Sequence, residues 1–518
     1  MCTRAFHVFV VVCWLCAATL ATAAAPQPLA VTVSAVVPPN TTDFITGVTM
    51  DFWPVTKAKW GTAGALTVDL TNKDLRTLAR GLNGSVLRLG GSPADFLLYE
   101  VEPGACSPEN LNKTQQSYGS YFCPIWLQAP GQCLSLSRWR DLLEFAADAG
   151  LRLVLDLNAC WGRTGASADM DWSQIDGLLN YTATGAATWA SALHGFEFGN
   201  EVYSNIAAPV YGAAITRLHE RTRALWTAAG AVPPVIMGPD CSEVDLSVSY
   251  WQAMLKAAAP GTLHAITVHD YGVDCTAQTA GNILNVSCLD DMPSEAAAVA
   301  ALARPFGVPV INGESALAGN SGSDGLTNTF VSTLYFLNEL GSYARAGMAG
   351  VFRQTLIGGD YELVNKTEFT PNPDYVALLL WRAHMGGTVI DTAVSNASAP
   401  VRAYTHCAVG NGGGVSTVLI NFSVDDAYAP TLSWASAPAA DATVDVYLLS
   451  PLPRAGSDPG PASAWYGIAL NGARVTWTSG GTVPPLTPRT VSAADPVLLP
   501  GCTAAIVVRR DAGVPACM

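Results

Sequence analysis

The sequence predicts an α/β chain: a (β/α)8 barrel with a C-terminal antiparallel β-sandwich. Three observations predict it. Short apolar strand patterns alternate with helical patterns from about residue 44 to 385. Two of the strand patterns end in a polar residue or Gly followed by Glu, at Asn200-Glu201 and Gly313-Glu314. After about Gly386 the helical period stops, and short strand-like runs appear between Gly and Pro clusters.

The barrel elements follow in order. Ile45–Phe52 is the first strand, with a helix over Lys73–Arg80. Ser85–Leu89 is the second, with a helix over Leu136–Ala149. Leu151–Leu157 is the third, and no helical pattern is assigned behind it. Gly195–Phe198, Pro234–Met237 and Ala265–His269 are the fourth to sixth, with helices over Tyr211–Ala229, Tyr250–Ala258 and Ser294–Ala303. Val308–Ile311 and Gly350–Arg353 complete the set, with helices over Asn328–Ala346 and Tyr375–His384. Short apolar strands with helices between them support parallel pairing. The later strand runs are Val415–Phe422, Val444–Leu449, Arg474–Trp477 and Ala504–Val508. Leu29–Val37 alternates like a strand ahead of the barrel, and pairing with the C-terminal sheet would fasten the two ends of the chain together.

The expected organisation is a signal segment over 1–25, an N-terminal strand region over 26–43, the barrel over 44–385 and the sandwich over 386–518. Arg4, the apolar run Phe6–Leu20 and the small residues 21–25 read as a secretory signal. No other stretch is long and apolar enough for a membrane span. Three of the 13 cysteines fall in the signal, and the even remainder suits an oxidising compartment. Asn-X-Ser/Thr sites stand at Asn40, Asn83, Asn112, Asn180, Asn285, Asn365, Asn396 and Asn421. Together with a signal they point to a secreted glycoprotein, or one held in an acidic lysosome-like or vacuole-like compartment or a cell wall.

The formal net charge is −14, with no Lys/Arg cluster of the kind that grips phosphate or sulfate polymers. Nucleic acid is excluded as an expected partner, and a highly sulfated polyanion would be repelled. No His-Glu-X-X-His run exists and Cys-X-X-Cys pairing is confined to the signal, so no metal or other cofactor is expected. No Gly-X-Ser-X-Gly elbow follows a strand, which argues against a serine hydrolase.

Glu201 and Glu314 carry the chemistry. Two carboxyls at the C-terminal mouth of one barrel suit glycosidic bond hydrolysis, in which one is the nucleophile and the other acid and then base. Polar residues at other strand ends add a ring able to bind sugar: Asp51, Gly90-Gly91-Ser92, Asn158, Asp240, His269 to Tyr271, and Arg353-Gln354. Asn200 stands beside Glu201, within reach of a hydroxyl next to the reacting carbon.

These residues resemble the heparanase-like glycoside hydrolases of family 79, in a retaining clan with catalytic Glu on strands 4 and 7. The segments that carry the resemblance include Leu75–Gly81, Leu87-Arg-Leu-Gly-Gly-Ser-Pro-Ala-Asp-Phe96, Phe198-Gly-Asn-Glu201, Gly238-Pro-Asp240, Thr267-Val-His-Asp-Tyr271, Gly313-Glu-Ser315, Val351-Phe-Arg-Gln354 and Pro373-Asp-Tyr375. The resemblance implies Glu201 as acid/base and Glu314 as nucleophile, with Tyr271 bonding the nucleophile. It implies sugar contacts from Asp51, Ser92 and Asn200, and recognition of a uronate carboxylate by Gly359 and Tyr361. It also implies a Cys407–Cys517 disulfide, for which Cys502 is the rival partner of Cys407. Cys275 and Cys288 flank a short loop after the sixth strand and form a second candidate pair.

The departures from heparanase are specific. The loop after the nucleophile reads Ala318-Gly-Asn-Ser-Gly-Ser323 instead of being Gly-rich. The acidic run Cys241-Ser-Glu-Val-Asp245 stands where basic residues meet sulfate, and a further basic position falls near Thr276. Glu100–Arg138 is short and Cys-rich, without the long excised segment of animal proheparanase. The leading expectation is a secreted retaining β-glucuronidase acting on a glucuronic-acid-containing glycan or glycoside. The alternatives are an endo-β-glucuronidase of heparan sulfate and, in another class, a non-catalytic carbohydrate-binding protein.

Overall fold

A computed structural model describes residues 25–116, 131–241, 244–272, 279–410, 412–452, 466–483 and 485–518. The run Phe6–Leu20, Cys275 and Thr276 lie outside the described residues. Eight strands form the barrel: β1 Ile45–Asp51, β2 Val86–Gly90, β3 Arg152–Leu157, β4 Leu193–Phe198, β5 Val235–Cys241, β6 Ala265–Tyr271, β7 Val310–Ala316 and β8 Gly350–Arg353. All pair in parallel in chain order, and β8 returns to β1 to close the ring.

A helix follows every strand: α1 Lys73–Gly81, α2 Leu136–Ala149, α3 Ser173–Thr184, α4 Ala208–Ala228, α5 Val244–Ala257, α6 Met292–Ala303, α7 Phe330–Ala346 and α8 Pro373–His384. Local chemistry sets their ends. Asn72 caps α1 by accepting the backbone N–H groups of Asp74 and Leu75 at 2.9 and 3.0 Å. Ser135 caps α2 by accepting from Arg138, and α2 stops at Gly150, whose φ of 67° is left-handed. α3 is the helix that the periodicity missed. Gly177 lies in its interior and weakens the helical pattern, while Ile175, Leu178 and Leu179 bury one face.

Strand alternation divides the barrel interior into two layers. Val86, Val154, Met237, Ala265, Ile311 and Phe352 form a separate apolar floor. Two residues further along the same strands, the inward positions become Arg88 and Asp156. An apolar plug thus supports a charged layer at the C-terminal mouth.

The sandwich joins two sheets around a second apolar core that includes Val31, Val401, Leu419, Leu432, Val446 and Val507. The larger sheet pairs Met385–Ile390, Val401–Ala408, Val415–Asn421, Thr503–Arg509, Thr443–Leu452, Gly467–Leu470 and Ala473–Arg474 in that order. The smaller sheet places Gln27–Val33 between Thr392–Val394 and Tyr428–Trp434, so the chain's beginning is tied to its last third. The pairing with Tyr428–Trp434 is parallel. α7 presses against the larger sheet at Gly341, where a Cβ would lie 2.3 Å from the Tyr404 ring. Tyr404 donates its hydroxyl to Asn338 at 2.8 Å and fixes that contact.

Three sequence expectations need correction here. The strand expected over Leu29–Val37 ends at Val33. Of Arg474–Trp477, only Arg474 is in a strand; Val475 and Trp477 are partly buried against the main apolar core, which explains their alternation. Asn421 is not a glycan acceptor. Its Nδ2, the atom a glycan would occupy, is buried and donates to the carbonyls of Asp426, Leu499 and Pro500 at 2.8, 3.1 and 3.0 Å. The other seven sequon asparagines are exposed or half-buried.

Cys407 and Cys517 are joined by a disulfide, as are Cys106 and Cys133. Cys502, the rival partner, is a buried free thiol. Cys288 is disulfide-bonded. Among the described residues, no helix is long and apolar enough to cross a membrane.

Candidate active site

The charged layer is organised around Arg88, which is fully buried on β2. Its Nε donates to Glu197 of β4 at 2.5 Å and its Nη1 to Glu314 of β7 at 2.8 Å. Its Nη2 donates to Asn200 at 2.9 Å and to Asp240 of β5 at 2.5 Å. One guanidinium fork therefore ties four strands together at the mouth.

Glu201 and Glu314 meet across one imidazole. His269 Nδ1 lies 2.8 Å from Glu201 Oε1, and its Nε2 lies 3.7 Å from Glu314 Oε2 and 3.2 Å from Asp240 Oδ1. Tyr271, two residues along β6, donates its hydroxyl to Glu314 Oε1. Glu201 itself has a left-handed φ of 58°, uncommon outside glycine, and its N–H is held by the Asp240 carbonyl at 3.0 Å. Asp95 fixes the preceding residue, accepting the Asn200 N–H at 2.8 Å and the Ala159 N–H at 2.9 Å.

Exposure separates the carboxyls. The side chains of Glu201 and Glu314 are 23% and 10% exposed, while those of Asp156, Glu197 and Asp240 are 0% exposed. Within this cluster of acids, Glu201 and Glu314 are the two that open to the mouth.

Asp51 ends β1 beside them. Its Oδ2 accepts from Trp53 Nε1 at 3.0 Å and from Gln354 Nε2 at 2.7 Å. Its Oδ1 is buried with no hydrogen-bond partner among the described residues, which leaves this oxygen for a ligand hydroxyl. Gly91 makes this approach possible: its φ is 78°, and a Cβ would stand 2.5 Å from Asp51 Cγ. Ser92 opens the 3-10 turn Ser92–Phe96 and is half-buried. Tyr361 meets Asp51 through Gln354, whose Nε2 donates to its hydroxyl at 3.2 Å. Trp53, Trp60 and Tyr361 form an aromatic wall with Ala316, and Tyr271 packs against it. Gly359 lies against that wall, its Cα facing the Tyr361 ring.

One expected sugar contact is corrected. Asn158 is buried, and its Oδ1 accepts from the backbone N–H groups of Cys160 and Trp161 while its Nδ2 donates to the Leu97 carbonyl. It shapes the loop after β3. His269 has a fully buried side chain between Glu201, Glu314 and Asp240. Arg353 turns outward to Asp374 at 2.7 Å, leaving Gln354 as the site residue after β8. Sequence reasoning passed over Arg88, Glu197 and Asp95. The signal was present: a charge inside an apolar strand, as in Leu87-Arg88-Leu89 and Phe196-Glu197-Phe198, needs an opposite partner on a neighbouring strand.

Burial decides the protonation of this layer. It pushes Glu197 up to about 8, with the Asp240 charge adding to the effect. It likewise pushes Asp51 up to about 8, reinforced by the Glu314 charge, and lifts Asp156 well above the carboxylate range. Asp240 goes the other way: against its burial, Arg88 and His269 hold it ionised well below the usual range. Burial opposes charge on His269 too, but Glu314 and Asp240 raise it well above an ordinary histidine. Two buried cations, Arg88 and His269, thus face the ionised Asp240, while burial raises Asp51, Asp156 and Glu197 around them. Burial and the Glu314 charge keep the Tyr271 hydroxyl protonated, as a donor.

The profile of the family described as Glycosyl hydrolase family 79, N-terminal domain, matches residues 28–341. The chain belongs to glycosyl hydrolase family 79. Curated relatives span similar lengths. Heparanase-like protein 3 of Arabidopsis thaliana is 29% identical over 429 residues, covering 76% of each chain. Baicalin-beta-D-glucuronidase of Scutellaria baicalensis is 28% identical over 408 residues, covering 72% of this chain and 73% of its own. Mouse heparanase is 25% identical over 484 residues, covering 86% and 87%. Among solved structures, a 4-O-α-L-rhamnosyl-β-D-glucuronidase from Fusarium oxysporum superposes with a TM-score of 0.59 at 16% identity, covering 92% of this chain and 99% of that one. A GH51 arabinofuranosidase from Xanthomonas axonopodis gives 0.62 at 13% identity, covering 93% and 100%. These two likenesses concern the fold. The family 79 chain is a glycoside hydrolase built on a closed eight-stranded parallel barrel.

Proposed function

We propose that this enzyme hydrolyses β-D-glucuronides by double displacement, with Glu314 as nucleophile and Glu201 as acid/base. The observation that carries the reading is the exposed pair: Glu201 and Glu314 flank His269 at the mouth, while the other acids of the layer are sealed beneath. Glu314 attacks the anomeric carbon as Glu201 gives its proton to the departing oxygen, and a glycosyl ester forms. Glu201 then takes a proton from water, the water oxygen attacks the anomeric carbon, and the ester C–O bond breaks to regenerate Glu314. Arg88 and Tyr271 hold the two oxygens of Glu314, and His269 Nδ1 orients Glu201 through its Oε1 at 2.8 Å. Asn200 spends Oδ1 on Arg88, leaving Nδ2 to donate to a sugar hydroxyl, and Asp51 offers its unpartnered Oδ1. Ser92 adds a hydroxyl at the same rim.

The uronate carboxylate is read by the Tyr361 hydroxyl and the Gly359 N–H. Burial, with the charges of Asp51 and Glu314, keeps that hydroxyl protonated, so it donates to an anion. The Cys106–Cys133 and Cys407–Cys517 disulfides support passage through an oxidising compartment, and a glycosylated protein outside the cytosol is the matching location.

The test is a panel of aryl β-D-glycosides: glucuronide, glucoside, xyloside and galactoside, beside heparan sulfate. The reading expects the glucuronide to be preferred and heparan sulfate to be cut more slowly, with weak retention on heparin resin at physiological salt. Glu314→Ala and Glu201→Ala should each remove nearly all turnover. Folded variants with near wild-type rates would sink the assignment.

A further inference from the structure

Gly359 and Tyr361 flank Asp360, and Asp360 joins three loops of the mouth. Its backbone N–H donates to the Ser321 carbonyl at 2.7 Å, and its own carbonyl accepts from Thr327 Oγ1 at 2.6 Å, both on the loop after β7. Its carboxylate takes a cation on each oxygen. Lys59, from the loop after β1, stands 3.1 Å from Oδ2 and also donates to the Gly322 carbonyl. Lys366, on the loop after β8, stands 3.5 Å from Oδ1 and donates to the Gly359 carbonyl at 2.7 Å. The backbone it gathers is not relaxed: Asn320 and Ser321 have left-handed φ values of 53° and 69°. Beside Lys59, Trp60 Nε1 donates to Ser321 Oγ at 2.9 Å, so the aromatic wall is tied to the same loop.

We propose that Lys59, Asp360 and Lys366 form an ionic latch that positions Gly359 and Tyr361, and so sets the preference for a uronate over a neutral sugar. The proposal rests on the glucuronide reading above. The three are positioning residues, bonded to the reading loop and to its neighbours. Asp360 and Lys366 are partly buried, with side-chain exposures of 17% and 24%, while Lys59 closes the latch from the solvent side at 43%. Such pairs are screened less than fully exposed ones. Loosening it should move the Gly359 N–H and the Tyr361 hydroxyl away from a carboxylate while leaving Glu201, after β4, and Glu314, on β7, in place.

The experiment compares kcat and KM for aryl β-D-glucuronide and aryl β-D-glucoside in the full chain, with thermal melts to verify folding. Wild type should prefer the glucuronide. Lys59→Ala/Lys366→Ala should raise KM for the glucuronide about ten-fold, with kcat within about two-fold and the glucoside unchanged. Lys366→Arg should retain most of the wild-type KM. Asp360→Asn separates placement from simple attraction: it removes a negative charge, yet the latch requires KM for the glucuronide to rise. A fall in that KM would show that the lysines act through charge alone and would overturn the latch. Equal losses on both substrates, or no change in either, would overturn it too. If the double variant does not fold, Lys366→Ala alone carries the same comparison. A wild type without preference for glucuronide would fail the uronate reading itself; preference with an unmoved KM in the variants would fail the latch alone.

Discussion

Glu197→Gln tests the charged layer through stability. Glu197 has a fully buried side chain and holds its proton to about 8, against an ordinary value of 4.5. In the unfolded chain it ionises near 4.5. Between those values the folded state binds one more proton than the unfolded state, so stability is fully present below pH 4.5 and is lost as pH rises toward 8. The slope is about −1.4 kcal/mol per pH unit, or about 5 kcal/mol over the window. Gln keeps the shape of the neutral acid: its carbonyl can accept from Arg88 Nε, and its amide can donate toward Asp240. The variant should match wild type in urea denaturation near pH 5. At pH 8 it should be the more stable protein, with its slope flatter by about 1.4 kcal/mol per pH unit. Asp51, Asp95 and Glu339, pushed up by burial to about 8, 7 and 8, should keep both proteins more stable in acid than at pH 8. Strong destabilisation of the variant at pH 5, with an unchanged slope, would refute a protonated Glu197.

Other outcomes follow from single contacts. Tyr361→Phe should lower kcat/KM for a glucuronide by about 1–3 kcal/mol and change a glucoside much less; equal loss on both would show support without carboxylate reading. Cys407→Ser opens a loop of 110 residues and should cost about 2–4 kcal/mol in denaturant unfolding under non-reducing conditions. Peptide mapping of protein secreted from a glycosylating host should find Asn421 unmodified. Asn421→Ala, which strips three carbonyls of their donor, should cost about 1–3 kcal/mol.

The barrel was legible because its physics is local. Runs such as Arg152–Leu157 are long enough to mark a strand, and helices between them force parallel order. Glu201 and Glu314 were legible for a related reason: strand ends carry the mouth of a barrel, whichever loops follow. What stayed hidden depends on side-chain direction and distant partners. Nothing near Arg88 in the chain shows that Glu197, Asp240 and Glu314 converge on it. Asn158 looked available to a sugar because its strand ends at the mouth, but the loop's own N–H groups consume its carbonyl. Asn421 satisfied the acceptor motif while its amide filled a turn between strands. The alternation of Val475 and Trp477 reflects half-burial against the main apolar core, and only the Val475 N–H, donated to the Ile468 carbonyl at 3.0 Å, continues the ladder beyond Arg474.

The central claim is that Glu314 attacks a glucuronide. An activated 2-deoxy-2-fluoro-β-D-glucuronide slows breakdown of the glycosyl ester, so the intermediate accumulates and can be mapped by peptide mass spectrometry. The account predicts one added uronyl group on the peptide containing Glu314, and none in Glu314→Ala. An adduct on a different carboxylate, or turnover with inversion at the anomeric carbon and no adduct, would contradict it.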